Sequence, residues 1–157
     1  VKTLLEESVA SGKNVLVFGF FVETINQYTK VLKTAFPNKG VYVTDETKNI
    51  FEAINEFQTD DRRQIILGGV NKIGTGFNIT KADYVIFADR PATWNDFEQA
   101  FMRAWRQGRT SPVQVIKILA RDTWDDRVSY TMYERKVQSD LVLGKLQEDS
   151  SITDSLE

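Results

Sequence analysis

Short, uninterrupted apolar runs recur along this chain with helix-period segments between them, and no other feature restricts its fold as tightly. Val15-Leu16-Val17-Phe18, Val41-Tyr42-Val43, Ile65-Ile66-Leu67 and Tyr84-Val85-Ile86-Phe87-Ala88 are too short for helices and lack the alternation of a strand with one wet face. A strand that is apolar on both sides belongs inside a parallel sheet covered by helices. A fifth run, 113–119, completes the expected set of strands. Between them, Ile25, Tyr28, Val31, Leu32 and Ala35 predict a helix over 23–36, and Ile50, Phe51, Ile54 and Phe57 predict one over 47–57. Leu4, Leu5 and Val9 predict a short opening helix that Gly12 ends, and Pro37-Asn38-Lys39-Gly40 predicts a turn. A closing helix is expected from about 124 to 146. The fold class is therefore α/β, with a mostly parallel central sheet flanked by helices in three layers.

Composition narrows the chemistry. The chain has 157 residues, 41% hydrophobic and 27% charged, which suits one domain with one core. We place that domain at 1–146 and expect the acidic, polar segment 147–157 to be disordered. No apolar run approaches the ~20 residues of a membrane span. The opening Val1-Lys2-Thr3-Leu4-Leu5-Glu6-Glu7 is acidic where a signal peptide is basic and then apolar. It also lacks an initiating methionine, so we expect a piece of a longer polypeptide. With no cysteine there is neither a disulfide nor thiolate chemistry, as suits a reducing cytoplasm. With no histidine there is no histidine-based triad or zinc site, and the commonest general base is gone. A net charge of −2 speaks against a nucleic-acid binder that works by bulk charge. The charges are unevenly spread, however. Arg103, Arg106, Arg109, Lys117 and Arg121 fall together, while acids gather at 122–126 and 148–157, so half of a DNA groove remains compatible with this sequence.

The densest chemistry lies in Gln99-Ala100-Phe101-Met102-Arg103-Ala104-Trp105-Arg106-Gln107-Gly108-Arg109. On a helix, Arg103 and Arg106 share a face, about 5–6 Å apart at Cβ. Two permanently charged planar forks on one face suit a polyphosphate or a carboxylate cluster. A solvated basic face is the alternative. Phe97, Ala100, Phe101, Ala104 and Trp105 in the same segment favour a helix whose arginines border a core. Upstream, Gly69-Val70-Asn71-Lys72-Ile73-Gly74-Thr75-Gly76-Phe77-Asn78-Ile79-Thr80 links two of the apolar runs. Strand, glycine-bearing loop, strand and basic helix is the order in which a nucleotide site is built at the carboxyl edge of a parallel sheet.

Together these segments resemble motifs V and VI of superfamily-two helicases and translocases, and most closely the Swi/Snf-like branch. There, motif V ends Gly-Leu-Asn-Leu-Thr and motif VI reads Gln-Ala-x-x-Arg-x-x-Arg-x-Gly-Gln. Gly76-Phe77-Asn78-Ile79-Thr80 and Gln99-Ala100-x-x-Arg103-x-x-Arg106-x-Gly108-Arg109 fill those places in order, and the resemblance covers roughly 10–145. It implies a RecA-like sandwich, the second motor lobe of an ATP-dependent DNA helicase or translocase. Arg103 and Arg106 would be its arginine fingers. Gly74, Gly76, Asn78 and Gln99 would meet the nucleotide, and Thr47, Asn71 and Lys72 the nucleic acid. The implied partners are ATP with Mg2+, duplex DNA, and an N-terminal RecA-like lobe that holds the metal. No membrane is implied, and the location would be cytoplasmic, nucleoid-associated or, in a eukaryote, nuclear.

Several positions depart from the family pattern. Gly19 and Phe20 stand where motif IV carries serine and glutamine, and Asp45-Glu46-Thr47 replaces a Gly-Ser-Thr loop that touches the DNA backbone. Thr47 can donate to a phosphate, which the two acids before it would repel. It serves equally as a helix N-cap. Trp94-Asn95 lies two residues too near Gln99 for the family's Trp-Asn-Pro, so Trp94 is expected to pack against the sheet edge. Motif VI closes with Gly108-Arg109-Thr110 rather than with Gly-Gln, an ending shared with other superfamily-two branches. Thr123 with Asp126 three residues on suits the entry of the closing helix.

No Gly-x-x-x-x-Gly-Lys-Ser/Thr loop and no Asp-Glu-x-His strand end occurs. A lobe with arginine fingers and no phosphate loop cannot hydrolyse ATP alone. Two other readings are open at this point: a Rossmann-like nucleotide-ligand transferase using the loop at 68–78, and a catalytically silent interaction module.

Overall fold

The structure, a computed structural model, describes residues 1–74, 77, 79–89, 97–98, 100 and 113–118. Contacts group the chain into Val1–Leu119 and Ala120–Glu157, and the elements below belong to the first unit. They are α1 (Lys2–Ala10), β1 (Val15–Gly19), α2 (Val22–Ala35), β2 (Gly40–Val43), α3 (Ile50–Thr59), β3 (Ile65–Gly69), α4 (Val70–Ile73), β4 (Tyr84–Phe87) and β5 (Gln114–Lys117).

The five strands form one sheet in the order β2-β3-β1-β4-β5. Every pairing is parallel, with Val15 level with Ile65 on one side and with Tyr84 on the other. All residues of β1 and β3 are buried, as continuous apolar runs require of central strands. Successive side chains alternate between two cores. Leu16 and Phe18 join Ile54 and Phe57 of α3, Val70 and Ile73 of α4, and Phe97 and Ala100. Val15 and Val17 join Leu5 and Val9 of α1 and Leu32 and Phe36 from α2 and its exit. The sheet is thus covered on both faces, in the three layers expected. Phe97 and Ala100 are 8% and 0% exposed, which places the start of the arginine-bearing segment against the core as its apolar content suggests.

Two segments differ from the sequence reading. The helix expected from 47 begins at Ile50, because Asn49 is its cap: the Asn49 side chain accepts from the Glu52 amide at 3.1 Å. Thr47 is not the cap. The segment read as an open loop after Leu67 contains a helical turn, α4, and Gly74 closes it by donating its amide to the Val70 carbonyl at 2.9 Å. A Cβ at Gly74 would collide with that carbonyl oxygen, so the turn itself demands glycine. The turn at 37–40 is present, and Asn38 takes a φ of 66°. Trp94 and the closing helix at 124–146 lie outside the described residues.

Candidate functional site

The chain leaves β1 through α2 onto one face of the sheet and leaves β3 through α4 onto the other. A crevice opens at the carboxyl ends of neighbouring strands whose connections diverge in this way. Here it is a cavity of about 230 Å3, walled by Gly19 at the end of β1 and Phe20 after it, Thr44 and Asp45 after β2, and Asn71 and Lys72 of α4. Gly19 makes room for α2. A Cβ there would stand 2.7 Å from Cγ1 of Ile25, which caps the ends of β1 and β3. The glycine found where motif IV usually has serine therefore has a packing reason.

Lys72 is held firmly. Its ammonium lies 2.6 Å from Oδ1 of Asp45 and donates to the Thr44 carbonyl at 3.0 Å. The same carbonyl accepts the Thr47 amide at 3.2 Å, and the Thr44 amide donates to the Thr47 hydroxyl at 2.9 Å. The Thr47 hydroxyl in turn points its proton toward the Tyr42 carbonyl, 3.5 Å away. Thr47 is thus the knot of the 44–47 turn, and that turn is tied to α4 through Lys72. Asn71 lines the same cavity.

Two further groups shape this edge, and the sequence pointed to neither Asp89 nor the ring cluster as a unit. Asp89, just past β4, accepts the Phe20 amide at 2.7 Å and the Phe21 amide at 3.1 Å. It fixes the loop that forms one cavity wall and supplies negative charge where α2 begins. Behind Phe20, the Phe87 ring stacks at a centroid distance of 6.0 Å and the Phe97 ring meets Phe87 at a tilt, with centroids 4.9 Å apart. The Lys117 ammonium sits 3.5 Å from the Phe97 centroid, and burial lowers its pKa.

Of the nucleotide-facing candidates, Gly74 is described and forms the exit of α4. Gly76, Asn78, Gln99, Arg103 and Arg106 lie outside the described residues. The segment beyond motif V is anchored. The Lys81 amide donates to the Gln58 side chain at 3.0 Å, and its ammonium donates to the carbonyls of Asp60 and Arg63 at 2.8 and 3.1 Å. Among the described residues, no group of three or more His, Cys, Asp or Glu side chains could hold a metal ion. Nor, among them, is any helix long and apolar enough to cross a membrane.

Residues 1–108 match the family described as the helicase conserved C-terminal domain. The chain is 30% identical over 158 residues to the ATP-dependent helicase ULS1 of Saccharomyces cerevisiae, a match covering 97% of this chain and 10% of that protein. An uncharacterized ATP-dependent helicase of Mycoplasma pneumoniae is 28% identical over 160 residues, covering 98% of this chain and 15% of that protein. Among solved structures, the C-terminal part of the Fun30 ATPase domain superposes with a TM-score of 0.74 at 26% identity, over 83% of this chain and 43% of that one. The Sulfolobus solfataricus SWI2/SNF2 ATPase core domain gives 0.65 at 24% identity, over 85% of this chain and 27% of that one. The chain thus spans only 10–15% of the length of these two curated relatives. The sheet order and helix layers are those of a RecA-like α/β domain.

Proposed function

This chain belongs to the helicase conserved C-terminal domain family, in its Swi2/Snf2-like branch, and on that premise we propose that it is the second motor lobe of an ATP-driven DNA translocase or helicase. Membership displaces the transferase reading of the loop at 68–78. One observation carries the proposal further. Residues from three stretches that the resemblance matches to separate motifs, Gly19-Phe20, Asp45 and Asn71-Lys72, converge from distant parts of the chain on one cavity. That convergence supports a nucleic-acid path across the carboxyl edge of the sheet, with Thr47, Asn71 and Lys72 beside the DNA backbone.

The nucleotide would lie against Gly74, Gly76, Asn78 and Gln99 in a cleft completed by a phosphate-loop lobe of the same polypeptide. That lobe would hold the Mg2+, which would supply charge neutralisation to the bound polyphosphate. Arg103 and Arg106 would act from this side as fingers on the transferring phosphoryl group. Two guanidiniums can stabilise charge that develops only in the transition state, which is how such groups raise turnover rather than affinity. The polypeptide so assembled would work on DNA, in the nucleus or in the cytoplasm of a cell without one.

The test is Arg106→Ala in the full polypeptide carrying this chain. DNA-stimulated ATP hydrolysis should fall by about 10³-fold or more, with duplex affinity retained. Arg106→Lys should recover little, because a point charge does not reproduce a bidentate fork. Hydrolysis at the unmutated rate in Arg106→Ala would remove the finger assignment.

A further inference from the structure

Among the described residues, the cavity wall contains one basic side chain and one acidic side chain, Lys72 and Asp45, and they are paired at 2.6 Å. Asp45 stands where the resembling family carries a glycine. We propose that Asp45 is a built-in counter-charge for Lys72, competing with a DNA phosphate for the same ammonium and so setting how tightly, and with what salt dependence, this lobe grips duplex DNA. The inference rests on the reading of this edge as the DNA path.

The two partners are unequally free to move. The Lys72 side chain is 31% exposed and also bound to the Thr44 carbonyl, whereas the Asp45 side chain is 64% exposed on the turn. A phosphate arriving from solvent would therefore displace the carboxylate and leave the ammonium in place. An exposed ion pair is weak enough to be displaced in this way, typically worth ~0.2–1 kcal/mol, or about 1.4- to 5-fold in binding. Lys72 is then a gated contact, poor for a weakly held backbone and available to one pressed into the cavity. Glu46, the next residue, is also exposed and lies outside the cavity lining, which makes it the internal control.

The experiment measures binding of a fluorescent 30-base-pair duplex by anisotropy, over a salt series without nucleotide. It compares the full polypeptide with Asp45→Asn, Glu46→Gln, Lys72→Gln and the Asp45→Asn/Lys72→Gln double variant. Asp45→Asn should tighten binding about 2- to 5-fold and steepen the log–log salt slope by about 0.9, the signature of one added phosphate contact. Glu46→Gln should do neither, and the gain from Asp45→Asn should vanish when Lys72 is already replaced. Both acids are exposed, so neither single change threatens the fold. If Asp45→Asn matches Glu46→Gln, or gains as much without Lys72, the effect is bulk charge and the counter-charge role is overturned. If no variant binds the duplex at all, the DNA reading of this edge fails, and the inference with it.

Discussion

Removing the Asp89 carboxylate should loosen the start of α2 and the cavity wall together. The N-cap position of α2, Phe21, has no side chain able to cap. Asp89, 68 and 69 residues away, holds the entry instead, accepting the amide of Phe21 at the cap at 3.1 Å and that of Phe20 before it at 2.7 Å. Loss of a capping side chain costs ~0.5–2 kcal/mol, and hydrogen bonds to a charged group are worth ~1.5–3 kcal/mol each. Asp89 is partly exposed, and these contributions overlap, so Asp89→Ala should cost about 2 kcal/mol. Asp89→Asn keeps one acceptor oxygen without the charge, and should cost about 1 kcal/mol. For a chain of this size those values correspond to drops in Tm of roughly 4–8 °C and 2–4 °C. Urea denaturation followed by circular dichroism should show the order wild type, Asn, Ala, with unchanged m-values. An independent readout is Tyr28, whose pKa is raised first by burial and then by the Asp89 charge. Asp89→Asn should lower that pKa part of the way, as followed by ultraviolet titration. Denaturation midpoints for Asp89→Ala within ~0.5 kcal/mol of wild type, the scatter of ordinary surface changes, would refute the remote-cap argument.

Phe87 is 1% exposed and meets the rings of Phe18, Phe20 and Phe97, whereas Phe51 is 70% exposed. Phe87→Ala should cost ~3–5 kcal/mol and Phe51→Ala no more than ~0.5 kcal/mol, and equal urea midpoints would contradict the placement of the core. Asp60 is held at a pKa of about 2, chiefly by the Arg62 side-chain hydrogen bonds. Because the folded value lies below the ordinary 3.8, this contribution is complete above that value and fades as pH falls through about 2. The small stability gap between wild type and Asp60→Asn should therefore be constant from pH 7 to about 5, shrink below the ordinary 3.8 and close only below about 2, as measured by urea midpoints across pH.

What the sequence made legible was decided by burial. β1 and β3 announce themselves because both faces of each are apolar, and one-dimensional hydrophobicity is then enough. The start of α3 was misplaced because Thr47 and Asn49 are both competent caps, and sequence cannot say which one is already engaged. Thr47 is engaged, through the Thr44 amide and the Tyr42 carbonyl, so the cap falls to Asn49. The acids at 45 and 46 could be read as a source of repulsion, but not as a partner for Lys72, because that pair joins turns 27 residues apart across β3.

The aspartates around β4 show a signal that can be read once its geometry is understood. Asp83 and Asp89 bracket the apolar run Tyr84-Val85-Ile86-Phe87-Ala88. Asp83 accepts the Asn14 amide at 2.8 Å and Asp89 the Phe20 amide at 2.7 Å, each across a separation of 69 residues. The strand register has the same offset, with Val15 opposite Tyr84 and Phe18 opposite Phe87. The two carboxylates therefore reinforce the β1·β4 ladder at either end, beside the backbone bonds that Asp83 and Tyr84 donate to the Asn14 carbonyl and Ala88 donates to the Phe18 carbonyl. A one-residue slip would strand both, in addition to moving every side chain to the wrong core. Parallel pairing has no hairpin turn to set its register, so end-brackets of this kind do the work a turn does elsewhere. They also fix Gly19 and Phe20 at the height the cavity requires. An acid at each end of a short apolar run thus carries positional information that propensity does not, and in this chain that information reaches the site.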